Sequence, residues 1–87
     1  MARGRRKSAV YDPDYRYVIR RVREARADAG MTQVEVAAAL GRPLSFVSKV
    51  ELCERRIDPA DLLKFADLYG KQIEYFYPPR ARAKKKS

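Results

Sequence analysis

Eighty-seven residues with no histidine and one cysteine allow a single domain, and they exclude an internal disulfide, a cysteine-based zinc cluster and a histidine proton shuttle. The formal net charge of +9 lies entirely in two end segments, in Arg3, Arg5, Arg6 and Lys7 at one end and Arg80, Arg82, Lys84, Lys85 and Lys86 at the other. A membrane span of roughly 18 apolar residues is absent, as are a glycine-rich phosphate loop and a paired-acid motif, so neither a membrane protein nor an enzyme is expected.

Between the basic ends the charges balance, but they separate along the chain. Residues 15–56 hold nine basic and five acidic groups, whereas residues 57–78 hold two and four. A basic front, an acidic back and two basic ends fit a polyanionic partner. Residues 1–11 and 79–87 read as disordered basic arms around a folded domain at 12–78. The N-terminus lacks the apolar core of a signal peptide, so the expected location is the cytoplasm, on the nucleoid.

The folded part reads as a run of short helices. Asp12-Pro13 supplies a cap and an N1 proline for the first, whose stripe is Tyr15, Val18, Ile19, Val22, Ala25 and Ala29. Gly30 ends it in a left-handed turn. Thr32 caps a second helix from Gln33 to Leu40, with Glu35 in its first turn, and Gly41 stops it. A third runs from Leu44 to about Leu52. Asp58-Pro59-Ala60-Asp61 opens a fourth that turns Leu62, Phe65, Ala66 and Tyr69 inward, and Gly70 closes it. Residues 73–77 then form a last short turn or a strand before Pro78-Pro79.

Helices two and three are each below the roughly 12 residues at which an isolated helix is even marginal, so they must be held by packing on each other. Val36, Ala37 and Leu40 face Val47 and Val50, and only GRPL lies between the two. Two short helices joined by a tight glycine turn form a helix-turn-helix. Spacing from Leu44 puts Val47 and Val50 on one face of the third helix, and Ser45, Ser48, Lys49 and Leu52 on another.

The stretch TQVEVAAALGRPLSFVSKVELCERRID resembles the Cro/phage-repressor type of helix-turn-helix domain, the XRE-like regulators. Their order is an arginine-rich helix, Gly-Leu-Thr-Gln, Leu-Ala…Leu-Gly, Ser-Xaa-Ile-Ser-Xaa-Ile-Glu, Gly-Glu-Arg and a further helix, and the match spans about residues 15–77. The resemblance implies an all-α, lambda-repressor-like bundle of five short helices. It also implies a sequence-specific regulator of transcription, a repressor type, that binds double-stranded DNA as a homodimer with its third helix in the major groove. Carried over by position, Leu44, Ser45, Ser48 and Lys49 become the base-reading candidates. Gln33, Arg42, Arg55 and Arg56 become the phosphate candidates. No cofactor, metal or small-molecule substrate is implied.

Two departures stand out. Leu44 occupies a position where relatives often carry glutamine, and Leu52-Cys53 replaces the usual Xaa-Gly after the third helix. A non-glycine residue there either changes the turn or accepts roughly 1 kcal/mol of left-handed strain. Phe46 is expected at the junction of helices three and four, not on DNA. Leu63, Leu68, Tyr75 and Tyr77 point off the core stripe and are the expected dimer surface. The competing reading is an antitoxin or other module that keeps this fold and acts mainly on a protein partner; Leu44 is the one feature that favours a module without base readout.

Overall fold

The computed structural model describes residues 12–80; the two arms expected at 1–11 and 79–87 therefore lie, apart from residues 79–80, outside the described residues. Four α-helices follow one another: α1 (Pro13–Asp28), α2 (Gln33–Leu40), α3 (Leu44–Glu51) and α4 (Pro59–Tyr69). The expected fifth helix is instead a single 3-10 turn, Ile73–Phe76. Pro78 explains its shortness, because the residue before a proline is driven out of the helical region, and Tyr77 is extended (φ −80°, ψ 143°). No strand occurs among the described residues.

The local signals act where they were expected. Asp12 Oδ1 accepts from the backbone N–H of Asp14 at 2.8 Å, and Asp58 Oδ1 from that of Asp61 at 2.8 Å, each satisfying a first-turn donor that has no intrahelical acceptor. Thr32 and Glu35 form a reciprocal capping box, with Glu35 N–H on Thr32 Oγ1 at 3.1 Å and Thr32 N–H on Glu35 Oε1 at 2.9 Å.

All four helices end in the same closure. At α3 the N–H of Glu54 reaches Lys49 O at 2.8 Å and that of Cys53 reaches Val50 O at 3.0 Å, the paired bonds of a Schellman motif. The left-handed residue is glycine at 30, 41 and 70, but Cys53 (φ 61°) after α3. The turn has therefore kept the geometry that suits glycine and put a cysteine in it, at a cost of about 1–2 kcal/mol.

The core forms where the four helices meet. Ile19, Val22 and Ala25 of α1, Val36 and Ala37 of α2, Phe46, Val47 and Val50 of α3, and Phe65, Ala66 and Tyr69 of α4 are buried, and Phe76 of the 3-10 turn is sealed in with them. Phe46 stacks on Phe65 with centroids 6.3 Å apart, which fastens α3 to α4 and places Phe46 at the expected junction. Arg21 holds the last turn onto α1: its Nε donates to Tyr75 O at 2.9 Å and its guanidinium lies 3.6 Å over the Tyr75 ring.

Candidate nucleic-acid interface

α2 and α3 pack through Val36, Ala37, Val47 and Val50, all buried, across the turn Gly41-Arg42-Pro43. At 100° per residue, Phe46, Val47, Val50 and Glu51 fill the inward arc of α3. Leu44, Ser45, Lys49 and Leu52 face out and Ser48 is half-exposed. The four residues expected to read bases thus share one side of one helix. Ser48 Oγ rests 3.4 Å from Ser45 O. Leu44 is 46% exposed and is not among the side chains packed against the core cluster.

Basic side chains line one margin of this edge. Arg42, Ser45, Phe46, Lys49 and Arg55 border a groove of about 190 Å³. The guanidinium of Arg42 lies 3.8 Å from the Phe46 ring centroid and that of Arg55 5.2 Å, so a buried aromatic serves as a platform that orients two cations. Arg42 also pairs with Asp61 at 3.4 Å. That contact ties it to the first turn of α4, and Arg55 and Arg56 stay exposed.

The loop that carries Arg55 and Arg56 is held from the other end of the domain. Tyr15 of α1 donates its hydroxyl to Arg55 O at 3.1 Å and accepts from Ile57 N–H at 3.3 Å. Burial pushes its pKa above the usual tyrosine value, and the Ile57 N–H opposes that shift. Sequence reading placed Tyr15 in the apolar stripe of the first helix. Its aromatic body is there, but its hydroxyl is what fixes the loop.

Glu51 is the second residue whose role sequence reading missed. Its side chain is 4% exposed. Arg26 Nε meets Glu51 Oε2 at 2.7 Å and Arg26 Nη2 meets Oε1 at 2.9 Å, a bidentate pair. Gln33 Nε2 adds a third bond to Oε1 at 3.0 Å, and Arg26 Nη1 donates to Met31 O at 3.0 Å. One carboxylate therefore joins α1, α2 and α3 and sets the angle at which α3 is presented. The bond to Glu51 holds the Arg26 guanidinium above its ordinary pKa.

These contacts alter the part Gln33 can play. Its side chain turns inward to Glu51, so of the two groups expected at a phosphate only its backbone N–H, in the first turn of α2, is left for that task. The proposed dimer residues divide as well. Leu63 is 53% exposed, Leu68 and Tyr75 pack against the core cluster, and Tyr77 is half-buried. Tyr75 is committed within the chain, edge-on to Phe76 and beneath Arg21 and Lys71. Among the described residues no group of acidic, cysteine or histidine side chains could hold a metal ion, and no helix is long and apolar enough to cross a membrane.

A short helix pinned on its inner side by a three-helix ion pair, with a polar outer edge beside stacked arginines, defines a helix-turn-helix DNA-binding domain of the kind used by transcription regulators. A family model described as "Helix-turn-helix domain" matches residues 20–73. The chain belongs to that family, in keeping with its resemblance to the Cro/phage-repressor type. No curated protein and no solved structure matches the chain.

Proposed function

We propose that this protein is a sequence-specific regulator of transcription that binds double-stranded DNA without catalysing a reaction, α3 entering the major groove. The observation that carries this reading is the outward edge of α3, where Leu44, Ser45, Ser48 and Lys49 are presented together by a helix whose inner side Glu51 locks. A helix fits a groove about 12 Å wide, and each side chain has a task there. Lys49 donates to guanine O6 or N7, the serines donate or accept at base edges, and Leu44 packs on a thymine methyl. Arg42, Arg55, Arg56 and the N–H of Gln33 bind phosphates and set the register of α3.

Two copies then bind as a homodimer on paired half-sites, joined through exposed Leu63 and the neighbouring surface of α4 and the 3-10 turn. Selection of bound duplexes from a random pool tests both parts. The expected outcome is an enriched motif repeated with two-fold symmetry, its half-sites about one helical turn apart. An exposed leucine among the readers supports a second reading, in which the edge of α3 meets a protein. Failure of any motif to enrich would favour that reading over DNA recognition.

A further inference from the structure

The reading edge of α3 has two margins, and the groove with Arg42 and Arg55 occupies one of them. The other opens on a cleft of about 700 Å³ between α1 and the exit of α3, lined by Arg16, Tyr17, Arg20, Arg23, Leu52 and Cys53, among others. Glu51, which lines the cleft, bounds the outward arc of α3 on the side away from Lys49, and Leu52, 65% exposed, carries the cleft to the middle of that arc, between Ser48 and Ser45 in helical angle. The cleft therefore opens toward the side on which the readers stand. The Arg26–Glu51 pair fastens this stretch of α1 against α3. Arg16, Arg20 and Arg23, spaced four and three residues apart, form a ridge on the adjoining strip of α1.

All three arginines are exposed, and their charge is little used within the fold. Arg20 approaches Glu24 only at 3.9 Å, with both side chains well solvated, and lies 5.1 Å from the Tyr17 ring centroid. Among the described residues no carboxylate pairs with Arg16 or Arg23, and Glu51, which also lines the cleft, is occupied by Arg26 and Gln33. The major groove is bordered by two phosphodiester strands, one on each side of an inserted helix. Arg42, Arg55 and Arg56 stand on one side of α3 and serve one strand. The second strand would pass the opposite margin, where the α1 ridge stands.

We infer that Arg16, Arg20 and Arg23 form a second phosphate-binding ridge that grips the DNA strand opposite the one held by Arg42, Arg55 and Arg56. The inference rests on the DNA-binding reading. An acidic peptide would satisfy the same charges, but it leaves unexplained why the ridge borders the reading edge, with Leu52 between them.

The test uses the full chain and two labelled duplexes, one selected from a random pool and one of arbitrary sequence. A triple variant Arg16→Gln, Arg20→Gln, Arg23→Gln is compared with the wild type and with the corresponding triple change to lysine, and melting followed by circular dichroism establishes that each is folded. Each phosphate contact contributes about 0.9 to the slope of log K against log salt concentration. The glutamine variant should therefore lose about 2–3 from that slope on both duplexes and keep the ratio between them, and the lysine variant should keep the slope. Ethylation interference should reveal phosphates on the strand opposite the Arg55 contacts that matter to the wild type and not to the glutamine variant. An unchanged slope, with the wild type still binding the selected duplex, overturns the ridge and leaves the DNA-binding reading standing. No duplex binding by the wild type removes both.

Discussion

Replacing Glu51 by glutamine changes one atom in the centre of the domain. Glutamine keeps an acceptor for Gln33 but sets an NH₂ group against Arg26 Nε–H, where Oε2 now accepts at 2.7 Å. One charge-assisted bond becomes a donor–donor contact, the Gln33 bond falls to neutral strength, the remaining Arg26 bond keeps only the charge of its donor, and Arg26 loses its counter-ion. Breaking a buried pair from one side costs about 3–5 kcal/mol. Arg26 is 23% exposed, and partial hydration lowers the expected loss to about 2–4 kcal/mol. A domain of this size has only about 4–10 kcal/mol in all, so the melting temperature should fall by about 10 °C or more. Urea unfolding followed by far-ultraviolet circular dichroism measures the change. The double variant Arg26→Met, Glu51→Leu should recover most of it, because the uncompensated charge is gone. A loss below about 0.5 kcal/mol for Glu51→Gln, or strict additivity of the two sites in a double-mutant cycle, would refute the hub.

Three further outcomes follow from the same contacts. Cys53→Gly should be more stable than Cys53→Ala by about 1 kcal/mol, since both lack the thiol and only glycine relieves the left-handed strain at φ 61°; equal melting temperatures would contradict this. Tyr69, whose hydroxyl is buried with no hydrogen-bond partner among the described residues, has a pKa raised by burial and then by the Glu51 charge. A raised folded-state pKa means that its contribution is whole below the unfolded value of 10.0 and is lost as pH climbs toward the folded value. Melting should therefore fall more steeply above pH 10 in the wild type than in Tyr69→Phe, and parallel curves would refute it. Tyr15→Phe removes both hydrogen bonds to the loop at Arg55 and Ile57. It should cost about 1–2 kcal/mol and lower DNA affinity in a titration, whereas an unchanged affinity would show that the loop is held by other means.

Much of the fold was legible because its punctuation is local. Asp12, Thr32 and Asp58 cap the helices at which they stand, and Gly30, Gly41 and Gly70 take the left-handed turns. The chemistry of each is settled within four residues of chain. Phe46 was legible from spacing, since it falls on the arc of α3 that faces α4. The fifth element was not, because four residues before Pro78 carry too little periodicity to distinguish a helix, a strand and a 3-10 turn.

The candidate site was legible as an edge and not as a mechanism for holding that edge. Serine and lysine at helical spacing mark which side of α3 faces out. What aims the helix is long-range: Arg26 and Glu51 are 25 residues apart, and Tyr15 and Ile57 are 42 apart. A sign of the first was present in the pattern. Arg26 falls between Ile19 and Val22 in helical angle, and Glu51 beside Val47, so two opposite charges interrupt two apolar faces. The partner of the Gln33 side chain was hidden for the same reason: the start of α2 suggests a phosphate contact, but the buried carboxylate that captures its amide belongs to another helix.

Central to the account is that Lys49 reads bases while Arg55 only grips phosphate, and binding of Lys49→Ala and Arg55→Ala to selected and random duplexes separates the two. Lys49→Ala should lose about 1–3 kcal/mol on the selected duplex and little on random DNA. Arg55→Ala should weaken both alike and reduce the salt slope by about 1. Equal losses on both duplexes for Lys49→Ala would contradict the reading edge assigned to α3.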